Sequence, residues 1–298
     1  MIDFTKLIFA GLSLGSVYAL IALGFVMVYK ATGILNFAQG GLLMLGAYLA
    51  QYFINGLGTT FWIALPMAML ATGLVAAGLQ RTIFDKLLTH PAFTVIMATW
   101  AVLIVLEQVP ITLFGYDFLN MNDPFGLAMV SIASVQVFTI DLWTLAFAAG
   151  SVAVLAVFFF RTRMGLAMRA TASDPEAAIA QGIEPRLVHA TAWFVAGMLA
   201  CLAGVMLGGG SRLVSPELSH VALRAIPAVI LGGLSSPLGA VVGGILIGIA
   251  EVLTAAWAPT LAPWLGKNLH LVMPYFLLVG FLMFRPQGLF GQRQSGRV

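Results

Sequence analysis

Apolar residues in this chain come in long runs separated by short polar or glycine-rich interruptions. The first run, Leu7 to Tyr29, is followed by runs at 35–53, 61–80, 92–114, 140–160, 188–209, 238–256 and 271–284. Most have the length an α-helix needs to cross about 30 Å of hydrocarbon. A shorter run at 225–234 cannot cross that distance as a helix, yet GGLSSPLG joins it directly to the next span. It therefore reads as half of a broken or re-entrant helix, and irregular backbone at that depth must line a cavity or be buried in protein. The pattern predicts an all-α polytopic membrane protein, a single domain over 1–298 with about eight or nine membrane segments.

Composition narrows the class further. The chain is 61% hydrophobic and only 8% charged, whereas about a quarter of a soluble domain is charged. The first run follows Asp3 and Lys6 instead of a basic cluster and lacks a polar cleavage region, so it is expected to be the first membrane helix and not a signal peptide. A single cysteine, Cys201, lies in an apolar run, which excludes an intrachain disulfide.

Between two spans lies a polar island, RTRMGLAMRATASDPEAAIAQG, within a loop over 161–187. Asp174 suits an N-cap, Pro175 the first helical position, and Glu176 the positive end of the helix dipole. Ala177 and Ala178 add helix propensity, Gln181 ends the turn and Gly182 suits a left-handed C-cap. So short a helix needs packing to persist. Basic residues then set the sides. With alternating crossings, Lys30, Arg81, Lys86, Arg161, Arg163, Arg169, Arg186, Arg285, Arg293 and Arg297 fall with the island, and Lys6, Arg212, Arg224 and Lys267 fall opposite. Because Arg and Lys accumulate on the cytoplasmic side, the island is expected inside, the N-terminus outside and the C-terminus inside.

Two places break the apolar pattern in a similar way. GILNFAQGGLLMLGAYL and GGLSSPLGAVVGGILIG each run from a small polar turn into a glycine-spaced helix. The glycines permit close helix packing. Asn36, Gln39, Ser235 and Ser236 offer hydrogen-bonding groups beside a break, and are the candidate lining of a translocation pathway.

These blocks, in this order and spacing, resemble the permease subunits of ATP-binding-cassette importers for branched-chain amino acids, over nearly the whole chain. The resemblance implies a multi-pass protein of the bacterial inner membrane that carries no cofactor itself. It also implies cytoplasmic ATP-binding subunits with ATP and Mg, a second related permease, and a periplasmic solute-binding protein as partners. The island, with Asp174, Pro175, Glu176, Ala177, Ala178, Gln181 and Gly182, resembles the segment that couples to the ATPase. Pro227 and Ser236 depart from the expected apolar residue and glycine. Relatives carry urea, amides and aromatic acids too, so the solute stays open. The alternative reading is a secondary transporter or channel for a small solute, which leaves the island without a role.

Other chemistry has weak support. Gly11-Leu12-Ser13-Leu14-Gly15 matches a nucleophile-elbow pattern, but inside an apolar helix instead of a strand-turn-helix corner. His90, His189, His220 and His270 lack metal-ligand spacing, no phosphate-cradling GxxxxGK[ST] occurs, and no nucleic-acid partner is expected. Trp62, Trp143, Trp257 and Trp264 fit interfacial anchoring. Glu107 and Glu251 are the acids assigned to spans or their outer ends. Each is expected to be protonated, paired or near water, and the favoured reading places both close to the outer interface.

Overall fold

A computed structural model describes residues 4–290 apart from 127, 133–134, 211, 262–263, 265–267 and 286. Lys267, Arg293 and Arg297 lie outside the described residues. The chain folds into α1 (Phe4–Thr32), α2 (Gln39–Gln51, continued by a π-helical turn to Gly56), α3 (Phe61–Leu79) and, after a second π-helical turn, the one-turn α4 (Asp85–Leu87). Next come α5 (Ala92–Phe114), strands β1 (Met129–Ile132) and β2 (Val135–Phe138), α6 (Thr139–Arg161), α7 (Arg163–Ser173) and α8 (Pro175–Ala180). The chain continues with α9 (Pro185–Gly208), α10 (Leu218–Arg224), α11 (Ile226–Gly232), α12 (Pro237–Leu261) and α13 (Leu269–Phe284). Among the described residues, six helices are long and apolar enough to cross a bilayer: α1, α3 running on through α4, α5, α6, α9 and α12.

The centre of the bundle is α1, in which every residue from Gly15 to Val28 is buried. A helix apolar all round is stable only when surrounded, here by α9 and α12 with α6 and α11. The closest seam is glycine-lined. A Cβ on Gly15 would stand 2.7 Å from Ile245 Cα, and one on Gly11 would stand 2.9 Å from Ile249 Cα. Gly244 and Gly248 answer from α12 against Ala19 and Gly15, so the two backbones approach with no side chain between them. The pairing of 11 with 249 and 15 with 245 makes the helices antiparallel. The outer helices instead expose Leu74, Val105, Val154 and Phe276, as hydrocarbon-facing surfaces require.

Contacts sort the loops onto two ends. At one end Asn55 donates to the Asn120 carbonyl, Leu119 pairs with Val214, the Gly210 amide donates to Asp123, and Phe4 stacks on Trp257. At the other, Arg186 pairs with Asp85 at 3.0 Å, Lys30 sits over the Phe159 ring, and the Leu289 amide donates to the Leu231 carbonyl. The second end carries Lys30, Arg81, Lys86, Arg161, Arg163, Arg169, Arg186 and Arg285.

Three expectations need correction. The run at 35–53 becomes a helix only at Gln39. The Phe37 amide donates to Thr99 Oγ1 at 3.1 Å, and Gln39 Nε2 donates to the Ala196 carbonyl at 3.1 Å. Ala196 lies eleven residues beyond Pro185, about 17 Å into α9, so α2 starts inside the bilayer as a half-helix. The piece expected at 225–234 is the second of two seven-residue helices, α10 and α11, with Pro227 in the first turn of α11. The chain therefore enters the membrane earlier than its hydropathy suggests, and Arg224 is not in an outer loop. Finally, the loop expected between α5 and α6 contains the antiparallel β1–β2 hairpin.

Candidate functional site

The polar island folds as its capping residues dictate. Asp174 Oδ1 accepts from the Ala177 amide at 3.0 Å, and Pro175 occupies the first turn of α8. At the other end Gly182 has φ of +81°, the Ile183 amide donates to the Ala178 carbonyl at 3.1 Å and the Gly182 amide to Ile179 at 2.9 Å. That pair of bonds is the Schellman closure. Pro175, Glu176, Ala177, Ile179, Ala180, Gln181 and Gly182 are exposed, whereas Ala178 is buried at 4%. Ala178 is thus the seat of α8 and not part of its outward face, because on a single turn and a half only one position can point back at the protein.

The seat of α8 is α7, itself fixed rigidly to α6. Thr162 caps α7 by accepting from the Gly165 amide at 3.0 Å, and Thr162 Oγ1 donates to the Phe158 carbonyl. Gly165 lies directly against the carbonyls of Phe158 and Phe159, where any Cβ would collide. Arg169 donates to the Phe159 carbonyl, placing a cation on the negative end of α6. α7, which carries α8, is thus joined to α6 through a closely packed corner.

The two polar breaks use different partners, and no contact among the described residues ties them into one site. At the first, Asn36 and Gln39 are 1% and 0% exposed. Asn36 Oδ1 accepts from the Ala38 amide, Gln39 staples α2 to α9, and Asn36 Nδ2 and Gln39 Oε1 have no partner among the described residues. Asn36, but not Gln39, lines a small cavity together with Thr99, Phe84 and Trp193. At the second, Ser236 Oγ accepts from the Gly239 amide at 3.1 Å and caps α12, and Gly233 turns the chain with φ of +102°. Leu289 and Phe290 donate their amides to the carbonyls that end α11. Ser235 and Ser236 are half-buried in this turn at the base-rich end. It is a closed hairpin at a membrane surface, because the C-terminal segment supplies the missing donors.

Sequence reasoning missed two charged clusters. Glu251 is 5% exposed, accepts from Tyr18 Oη at 2.6 Å and pairs with Arg224 at 3.8 Å. It lies six residues before Trp257, which stacks on Phe4 at the end away from the basic cluster, hence about 9 Å deeper. The expectation of an interfacial Glu251 is corrected: it is buried and paired. Glu107 is half-buried in α5. Asp141, not singled out beforehand, is 6% exposed, accepts from Ser13 Oγ at 2.7 Å and pairs with Arg212 at 3.7 Å. Ser13 thus serves as a structural donor and the glycines around it as packing surface, so the elbow-like pattern has no catalytic meaning here. Asp141 had a signal: an acid in the first turn of an apolar span.

A bundle of apolar helices around a buried, charge-stapled centre, with half-membrane helices and a base-rich end carrying a capped exposed helix, defines a multi-pass membrane permease. The chain belongs to the family described as "Branched-chain amino acid transport system / permease component", whose profile matches residues 7–282. The high-affinity branched-chain amino acid transport system permease protein LivH of Escherichia coli K12 is 28% identical, with 99% of this chain and 98% of that one covered. BraD of Pseudomonas aeruginosa, described in the same words, is 28% identical over 97% and 96% of the two chains. Among solved structures, a chain of "PsaBC from Streptococcus pneumoniae in complex with Fab" superposes with a TM-score of 0.50, covering 96% of this chain and 93% of that one. At 15% identity this likeness speaks for the fold alone.

Proposed function

We propose that this chain is the translocating subunit of a binding-protein-dependent, ATP-driven importer, carrying a branched-chain amino acid or a related small amphipathic solute inward. The observation that carries the reading is α8, a capped helix with a solvent-facing Glu176, Ala177 and Ile179 at the base-rich end, locked to α6. Ile179 is 55% exposed on α8, and Leu166 and Leu187 are also exposed in the same loop; an outward isoleucine on a fixed helix suits a cleft in a protein partner. The partner is a cytoplasmic ATPase pair that binds ATP and Mg; this chain catalyses nothing itself. A second related permease completes the pore, and a periplasmic binding protein delivers the solute. The base-rich end faces the cytoplasm of a bacterial inner membrane, which puts the N-terminus outside and the C-terminus inside.

Asn36 and Gln39 gate the route rather than touch solute, since both are covered in this state, and Ser235 and Ser236 shape its inner mouth. The test is Ile179→Asp in a complex co-expressed with its ATPase, second permease and binding protein. Membrane insertion stays intact and solute-stimulated ATP hydrolysis is lost. Wild-type stimulation in that variant overturns the assignment of α8.

A further inference from the structure

The half-helix α10 carries an ionisable stripe into the membrane. Glu217, His220 and Arg224 are spaced three and four apart, so they share one helical face. Glu217 and His220 are exposed and the Arg224 side chain is 31% exposed, while Leu218, Ser219 and Ala222 on the opposite side are buried. That opposite side is pressed onto α2: a Cβ on Gly40 would meet the Ser219 carbonyl at 2.6 Å and the Ala222 methyl at 3.4 Å. Gly40 follows Gln39, whose amide reaches Ala196 eleven residues into α9. α10 therefore runs inward from the Val214 bridge at one end of the bundle, and its Ser219–Ala222 face reaches the depth at which α2 starts.

Acyl chains cannot cover such a stripe, because an arginine head and its neighbours at that depth have no partner in hydrocarbon. Water can. The guanidinium is also held outward and incompletely engaged. Glu251 sits behind it, its carboxylate anchored by Tyr18 Oη at 2.6 Å, while the nearest Arg224 nitrogen stands 3.8 Å away, beyond hydrogen-bonding distance. A planar, permanently charged donor set that its own counter-ion does not saturate is suited to a passing carboxylate. The looseness also suits passage: a fully desolvated bidentate pair would hold the solute too long.

Building on the permease reading above, we propose that the Glu217–His220–Arg224 face of α10 lines the aqueous route and that Arg224 is a transient station for the carboxylate group of the solute. Tyr18 and Glu251 are positioning residues that keep Arg224 at the route's wall. Val221, half-buried on the same face, gives the solute's hydrocarbon portion an apolar surface beside the charge.

The test uses the complete reconstituted complex in a Cys201→Ala background, with single cysteines in place of Glu217 and His220 and a hydrocarbon-facing control, Val105→Cys. Anionic sulfonatoethyl and cationic trimethylammonium-ethyl methanethiosulfonates are the probes. Both stripe cysteines react from the outer side and Val105→Cys does not. At His220→Cys the anionic-to-cationic rate ratio falls about fivefold when Arg224→Gln is added, since one unit positive charge about a turn away is removed; with Glu251→Gln added as well, the opposite charge behind it is also lost and the fall is smaller but in the same direction. The double neutralisation leaves no unpaired buried charge, so the readout survives if Arg224→Gln alone fails to assemble. Stripe cysteines as silent as Val105→Cys, or a ratio indifferent to Arg224, overturn the proposal. Solute-stimulated ATPase activity is read in the same preparations: where it persists and the cysteines are silent, only the α10 assignment fails, whereas its absence from the parent complex counts against the importer reading itself.

Discussion

Replacing Gln39 by leucine separates a gating role from a packing one, because the structure makes the stability terms nearly cancel. The variant loses one neutral hydrogen bond, Gln39 Nε2 to the Ala196 carbonyl at 3.1 Å, a net loss of about 1 kcal/mol. That carbonyl lies within α9, between Pro185 and Gly208, where the helix ladder supplies a second donor. The variant also removes Gln39 Oε1, a fully buried acceptor with no partner, whose desolvation costs about 1–3 kcal/mol in the native protein. Leucine nearly matches glutamine in volume, so no large cavity opens beside Gly24, against which the amide packs. The expected change in stability is within about 1 kcal/mol of zero. Thermal denaturation of the detergent-solubilised complex reads this term, and uptake into proteoliposomes reads the other. With stability unchanged, transport rate falls while apparent affinity for solute, set by the external binding protein, is retained. Wild-type uptake reduces Gln39 to a staple between α2 and α9. A large destabilisation would refute the cancellation, and with it the claim that Oε1 is unpartnered.

Gly15→Leu drives a side chain into Ile245 across the α1–α12 seam, where even a Cβ has only 2.7 Å; overpacking of about 1–3 kcal/mol or more lowers the yield of folded protein in a fluorescence-detected size-exclusion assay. Asp174→Ala removes the cap on Ala177, costing α8 about 1 kcal/mol, so it weakens solute-stimulated ATP hydrolysis less than Ile179→Asp does, measured in the same complex. For orientation, a cysteine replacing Ser173 reacts with an impermeant thiol reagent only from the cytoplasm, and one replacing Asn120 only from outside; both positions are exposed, and labelling from a common side inverts the topology.

The long spans were legible because lipid demands uniform hydrophobicity, and that demand is written residue by residue: 92–114 as read from hydropathy is also α5 as folded. The cap residues of α8 were legible for the same local reason, since Asp174, Pro175 and Gly182 each act within a few residues of themselves. What the sequence hid is long-range. Ala178 was grouped with the coupling residues without a side assigned, because a six-residue helix gives no amphipathic period to read, and only the docking on α7 decides which side faces in. The start of α2 was misplaced because Ile34, Leu35 and Phe37 are apolar, although their backbone is a loop held by Thr99.

Arg224 shows the limit most clearly, and also why it matters for mechanism. Read along the chain, an arginine just before an apolar run is a loop residue on the outer side, and its partner Glu251 is a stray acid late in a helix. Folding brings them together with Tyr18, across separations of 27 and 233 positions, and converts two separate charges into one cluster around a buried carboxylate. The twin cluster of Ser13, Asp141 and Arg212 repeats the logic nearer the end away from the basic cluster. In both, a hydroxyl of α1 donates to the carboxylate, and in both the arginine comes from the segment between α9 and α11. That segment is therefore held by charge at each end against a core sealed by glycine. In each the carboxylate is buried while the arginine stays partly exposed, and leaving a buried carboxylate without its partner is costly. Such pairs hold an element in one place or release it as a unit. The segment carrying the α10 stripe is fastened in this way, as a wall of a route that opens and closes would have to be.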